Sequence, residues 1–155
     1  MILKIENVCL VDKLLNGDLE AIGHCCNCFN TMKSGVAKTV SELIPEAVKA
    51  DLGTTRGDLD KLGGCSMAQK NGKLVFNLYG QYNYGYNGKL YLDYTALGAA
   101  LEKMRGHCLE TGIKKIGLPY KIGSDRAGGD WEKVLDIIME VWYNTDIEVT
   151  LCRKK

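Results

Sequence analysis

The chain has 155 residues, 46% hydrophobic and 25% charged, a composition that excludes a disordered or fibrous polymer and fits one globular domain over 1–155. Twenty Lys and Arg stand against nineteen Asp and Glu, a formal charge of +1, so no strong field gathers a nucleic acid polymer or an acidic membrane surface. No apolar run approaches the roughly 18 residues of a membrane span and the N-terminus lacks the build of a signal peptide, which leads to the expectation of a cytoplasmic protein.

Residues 2–10 mix alternation with β-branched side chains, and residues 19–25 read as a short buried strand entering a loop. After Ser34-Gly35, the positions Val36, Val40, Leu43, Ile44, Ala47 and Val48 recur at helical spacing, with Pro45 suited to start a new turn. Residues 64–68 and 73–79 flank Asn71-Gly72, a dipeptide that tolerates the positive φ angles of a tight hairpin. The tyrosine-rich stretch 81–88 reads as a loop. Tyr94, Leu97, Leu101, Met104 and Cys108 form the stripe of a long helix closed by Gly112. A strand over 113–119 leads into a glycine-rich loop at 123–129. A helix capped by Asp130 follows, with Val134, Ile137, Ile138 and Val141 on its inner face, and then a last strand over 146–152.

This alternation predicts an α/β fold, a mixed sheet with helices on both faces, whose ligands sit beyond the carboxyl ends of the strands. Two strand-to-helix loops therefore carry the interest, residues 25–36 and 119–131. Free N–H groups at two helix starts can cradle an anion. Neither loop holds G-x-x-x-x-G-K-[ST] or a complete G-x-G-x-x-G, so neither is a P-loop or a Rossmann turn.

The seven cysteines, Cys9, Cys25, Cys26, Cys28, Cys65, Cys108 and Cys152, lie mostly in apolar segments and read as reduced thiols. Cys25 and Cys28 have C-x-x-C spacing, but no second Cys or His pair completes a zinc site, and no metal or cofactor is expected. His24 is a candidate general base, against the plainer reading of a packed strand-end histidine. Asn27 alone is equally a turn residue. Asp125 and Asp130 are a possible acid and base, with Asp130 already suited to capping a helix. Tyr79, Tyr82, Tyr84 and Tyr86 either stack on a ligand or cover the sheet edge, the second reading being preferred for most of them. Trp131 and Trp142 read as packing residues, and 153–155 as a solvated tail.

The run Gly23-His24-Cys25-Cys26-Asn27-Cys28-Phe29-Asn30-Thr31-Met32-Lys33-Ser34-Gly35-Val36-Ala37-Lys38, together with Leu118-Pro119-Tyr120-Lys121-Ile122-Gly123 and Ala127-Gly128-Gly129-Asp130-Trp131-Glu132-Lys133-Val134, resembles the macro domain family. The likeness is greatest to small phage and bacterial members described as ADP-ribose 1''-phosphate phosphatases and to the branch of terminal ADP-ribose protein glycohydrolase. It implies a three-layer α-β-α sandwich with a central mixed sheet and a cleft for ADP-ribose or a derivative, free or on an ADP-ribosylated protein.

By this resemblance Asn27 touches the distal ribose, and Lys33, Ser34, Gly35 and Val36 occupy the place of the loop around that sugar. Gly123, Ser124, Asp125, Arg126, Ala127 and Gly128 match the diphosphate loop, where Arg126 can add a phosphate contact. Cys9, followed by Leu10, stands where the family usually has an adenine-contacting aspartate, with Asp12 as a substitute. The glycohydrolase branch uses a lysine after its hairpin and an aspartate in the second loop, and the matching positions here are Gly80 or Gln81 and Ala127. The resemblance therefore favours removal of a 1''-phosphate, with Asn27 and His24 as catalytic candidates, over a lysine adduct. The alternatives are a binding module without turnover and a hydrolase acting on ADP-ribosylated protein.

Overall fold

The structure, a computed structural model, describes residues 1–154. Six strands form one sheet in the order β1-β6-β5-β2-β4-β3, where β1 is Ile2–Glu6, β2 Ala21–Cys26, β3 Cys65–Lys70, β4 Lys73–Tyr79, β5 Lys115–Pro119 and β6 Glu148–Cys152. All neighbouring pairs are parallel except the β3–β4 hairpin. That hairpin turns at Asn71-Gly72, both with positive φ.

Five helices cover the two faces: α1 (Leu10–Leu15), α2 (Gly35–Leu43), α3 (Pro45–Leu52), α4 (Tyr94–Thr111) and α5 (Trp131–Trp142). Leu97, Leu101 and Met104 of α4 and Val134 and Ile138 of α5 share one core with Phe76, Leu78, Ile116 and Leu118 of the sheet. Leu10, Val11, Val40 and Ala47 from α1, α2 and α3, with Ile44 between α2 and α3, share the other with Ile22 and Val75. Adjacent strand residues thus feed opposite cores, which is the alternation of a pleated sheet buried on both faces. The result is the three-layer α-β-α sandwich.

The caps follow the sequence. Pro45 opens α3, Asp93 accepts from Ala96 N–H at the start of α4, Asp130 accepts from the Glu132 and Lys133 N–H groups at the start of α5, and Gly112 closes α4 in the left-handed region. One element differs from expectation. The first strand ends at Glu6, and residues 10–15 are helical, with Leu10, Val11 and Leu14 buried at i, i+1 and i+4. Six residues are too few for a helical period to stand out beside the preceding strand pattern.

The chain leaves β2 towards α2 on one face of the sheet and leaves β5 towards α5 on the other. This divergence is a topological switch point, where a crevice opens at the carboxyl ends of the strands. The ladders show it opening. β2 pairs with β4 over six positions, from Ala21–Leu74 to Cys26–Tyr79, whereas it pairs with β5 only at Ala21–Ile116 and Ile22–Gly117. Beyond Ile22 the two strands part, and the loops that follow them become the walls of a cleft. Among the described residues no helix is long and apolar enough to cross a membrane.

Candidate functional site

The cleft has a volume of about 320 Å³, within the range of small-molecule sites. Its walls come from three loops after the adjacent strands β5, β2 and β4. Asn27, Thr31, Ser34, Gly35, Val36 and Ala37 contribute the first, Tyr120 to Gly123 with Asp125, Arg126 and Ala127 the second, and Gln81, Tyr84, Gly85 and Tyr86 the third.

The polar character of the cleft is largely that of the backbone. Ser34 is the N-cap of α2 with no side-chain cap bond, and the first N–H to close the helical ladder is that of Lys38, on Ser34 O at 3.3 Å. The N–H groups of Gly35, Val36 and Ala37 are therefore the unpaired donors of a helix start, carrying the positive end of its dipole. In the second loop, Ser124 N–H donates to Lys121 O at 2.9 Å, Gly128 N–H to Asp125 O at 3.2 Å and Gly129 N–H to Gly123 O at 2.9 Å. These bonds hold the loop in shape. Among the described residues the N–H groups of Gly123, Asp125, Arg126 and Ala127 have no backbone partner. Two sets of free amide donors thus border one cleft, an arrangement suited to a pair of phosphoryl groups.

The side chains expected to do chemistry are committed elsewhere. His24 is 1% exposed, and its Nε2 lies 2.7 Å from Asn77 Oδ1. Because Asn77 Nδ2 donates to Ala47 O and to Ser66 Oγ, each at 3.0 Å, its oxygen must be the acceptor, so His24 carries its proton on Nε2. Burial lowers the imidazole to a pKa of about 4, against the opposing effect of the Asn77 bond. The ring lines the cleft yet is buried and hydrogen-bonded, which favours the plainer reading of a packed strand-end histidine over a general base.

Asn27 is 9% exposed. Its Nδ2 donates to Thr31 Oγ1 at 2.7 Å and to Thr31 O at 3.2 Å, while its Oδ1 accepts from Phe29 N–H at 2.8 Å. The amide therefore shapes its own loop as an Asx turn does. Cys25 lines the cleft as a thiol pushed up to about 12 by burial, which makes it neither a nucleophile nor a ready metal ligand.

Five further assigned residues lie off the cleft walls. Cys9 is the N-cap of α1, packed against the core, and Leu10 is buried within it, because the first strand stops early and the short helix folds both inward. Lys33 projects into solvent beside Ser34. Ser124 Oγ is buried without a partner, and Gly128 closes the loop beneath Lys89, whose carbonyl lies 2.5 Å from where a Cβ would stand. Asp130 caps α5, which leaves Asp125 as the carboxylate on the cleft wall.

For Tyr84 and Tyr86, on the wall formed by the third loop, the less favoured of the two sequence readings is the one that fits. Tyr84 and Tyr86 line the cleft and are 49% and 66% exposed, rather than covering a sheet edge. The density of tyrosine and glycine in 82–86 was the available signal. Tyr82 and Tyr84 meet Phe29 edge-on, with centroids 4.9 and 6.4 Å apart, which joins this loop to the first. Arg153 is no free tail: its Nε donates to Asn7 Oδ1 at 2.8 Å, and its guanidinium stacks 5.0 Å over the ring of Tyr120, a residue of the cleft wall. Lys155 lies outside the described residues.

No family model matches the chain. It is 30% identical over 154 residues to an uncharacterized 17.5 kDa protein from the tk-vs intergenic region of Enterobacteria phage T4, covering 92% of this chain and 96% of that protein. It is also 30% identical over 91 residues to the ADP-ribose glycohydrolase OARD1 of Bos taurus, a match spanning 59% of this chain and 57% of that enzyme. Among solved structures, the macrodomain of Mycobacterium tuberculosis DarG superposes with a TM-score of 0.78 at 18% identity, over 99% of each chain. With this sheet order, the cleft at its switch point and the near full-length relative, the chain belongs to the macro domain family.

Proposed function

We propose that the cleft binds ADP-ribose derivatives and hydrolyses ADP-ribose 1''-phosphate to ADP-ribose and phosphate. The observation that carries this reading is the pair of unpaired amide sets, Gly35 to Ala37 and Gly123 with Asp125 to Ala127, on the walls of one cleft. Such donors stabilise negative charge without reorganising, which is what a phosphoryl transfer requires. Water adds to phosphorus, the bond from phosphorus to the oxygen on C1'' breaks, and that oxygen leaves with a proton drawn from solvent, to which the base later returns the one it took. Asp125, the carboxylate on the wall, accepts the proton of the attacking water.

Removal of ADP-ribose from protein through a lysine adduct is disfavoured by two positions. Ala127 carries no acid. Gly80 has no room for a long side chain, since a Cβ there would lie 2.9 Å from Cys25 Sγ and 3.2 Å from Leu97 Cδ1. The relative in phage T4 supports a phage setting, with action in the host cytoplasm.

A second reading, a module that binds ADP-ribose without turnover, is favoured by the commitment of His24 and Asn27 to structural bonds. Phosphate release decides between the two. The expected result is free phosphate from ADP-ribose 1''-phosphate, slowed by about a hundredfold or more in Asp125→Asn, as loss of a general base produces, with an ADP-ribosylated glutamate peptide left intact. Stoichiometric binding without release establishes the module, and faster processing of the peptide overturns the phosphatase.

A further inference from the structure

Arg126 behaves unlike its neighbours in the second loop. Its side chain leaves that loop and crosses towards α2: its Cδ and Nε lie 3.7 Å from the point where a Cβ on Gly35 would stand. On the way, its guanidinium rests over the Tyr86 ring, 4.6 Å from the centroid. The Tyr86 hydroxyl in turn donates to Asp125 Oδ1 at 3.4 Å. One side chain thereby touches all three walls of the cleft, reaching the first at Gly35, whose φ of 59° suits glycine.

Held in this way, the guanidinium is a cation with no anionic partner. Arg126 makes no ion pair among the described residues. The carboxylate next to it in sequence, Asp125, is engaged by the Tyr86 hydroxyl. On its other side lie the unpaired N–H groups at the start of α2. A planar fork of donors, steadied on an aromatic face and adjoining a helix start, is suited to a phosphomonoester dianion and much less to a neutral hydroxyl.

We propose that Arg126, set on Tyr86 and reaching Gly35, is the specificity determinant of the cleft, selecting nucleotide sugars that carry an additional terminal phosphate over those that end in a free sugar hydroxyl. The inference rests on the proposed binding of ADP-ribose derivatives and adds to it the residue that discriminates among them. The diphosphate takes the backbone amides of the two loops, and the terminal phosphate takes the guanidinium in a bidentate pair.

The test is the ratio of two affinities. Calorimetric titrations with ADP-ribose and with ADP-ribose 1''-phosphate, carried out under conditions where turnover is negligible, are compared for the unaltered protein, Arg126→Leu and Tyr86→Leu. Arg126→Leu keeps an apolar stem and removes the charge. The unaltered protein is expected to prefer the phosphorylated ligand by about tenfold or more, the scale of one charge-assisted bidentate contact, and Arg126→Leu to erase that preference. Tyr86→Leu is expected to reduce the preference in part. Equal affinity of the unaltered protein for the two ligands, or an unchanged ratio in Arg126→Leu, overturns the role of Arg126 while leaving the proposed cleft standing. Failure of both ligands to bind the unaltered protein overturns the proposed function and this inference with it. Thermal melts of each variant identify loss of fold, and in that case Arg126→Lys serves in its place, with a reduced but surviving preference expected.

Discussion

The bond from His24 Nε2–H to Asn77 Oδ1, at 2.7 Å, is the first link of a directed chain across the α3 face of the sheet. Asn77 Nδ2–H donates to Ser66 Oγ at 3.0 Å, Ser66 lies 2.8 Å from the Tyr79 hydroxyl, and that hydroxyl donates to Asp51 Oδ1 at 2.7 Å. The chain satisfies a histidine, an asparagine and a carboxylate that are each at most 1% exposed. Such a network holds its elements in one arrangement, provided that every member is paired. It touches the cleft at His24, and at its far end Lys61 sits 4.9 Å over the Tyr79 ring and donates to Cys28 O at 3.1 Å, bracing the first loop.

The lowered pKa of His24 makes stability depend on pH. Burial holds the folded imidazole near 4, so between that value and the unfolded value of 6.5 the unfolded chain binds the additional proton. Stability therefore rises with pH through this window and is lost as pH falls from 6.5 towards 4, by about 3 kcal/mol from this group. Urea titrations at pH 7, 5.5 and 4.5 measure the slope, and His24→Gln is expected to flatten it. An unchanged slope in that variant assigns the effect to other groups.

Tyr79→Phe removes the hydroxyl that serves Asp51 and Ser66. The Tyr79 phenol is raised well above its usual range, first by burial and then by the Asp51 carboxylate, so it remains a neutral donor at any working pH. Its loss leaves a buried carboxylate short of a partner and is expected to cost about 1–3 kcal/mol, read as a lower urea midpoint at unchanged m-value. A midpoint within experimental error of the unaltered protein removes the network from the account of stability.

Gly80→Ala places a methyl group 2.9 Å from Cys25 Sγ and 3.2 Å from Leu97 Cδ1. Overpacking of this kind costs about 1–3 kcal/mol, and a drop in melting temperature is expected. Gln81, by contrast, lines the cleft, with its Nε2 on Asn83 O at 2.9 Å, so Gln81→Ala is expected to alter ligand affinity more than stability.

Gly35→Glu sets a carboxylate at the start of α2, within reach of Arg126, and forces a residue with a side chain to adopt φ of 59°. The new charge opposes any phosphate there and pairs with the guanidinium that would receive one. Calorimetry is expected to show ADP-ribose affinity falling by about tenfold or more, as a like charge at an anion site produces, with the fold retained by circular dichroism. Unchanged affinity excludes the first loop from the binding site.

Most of the architecture could be read from the residues because the signals were local. Asn71-Gly72 sets the hairpin, Asp93 and Asp130 cap their helices, and the stripe from Leu97 to Cys108 has one face. The short helix α1 could not, since its buried Leu10, Val11 and Leu14 continue an apolar strand pattern without a break. At the site, the two loops were identifiable from glycine and helix-start chemistry, whereas side-chain roles were not. Whether Asn27 faces a ligand or its own Thr31, and whether His24 is free or bonded to Asn77, depends on contacts with residues distant in sequence or hidden in a turn. The two readings of the tyrosines could not be separated because a loop without periodicity gives no sign of which face they present.

The claim that both loops clamp a diphosphate through their amides is tested most directly by following backbone N–H resonances as ADP-ribose is added. Gly35 and Val36 are expected to shift together with Gly123, Asp125 and Arg126 along one saturation curve. Shifts confined to a single loop, or no shifts at all at millimolar ligand, would contradict it.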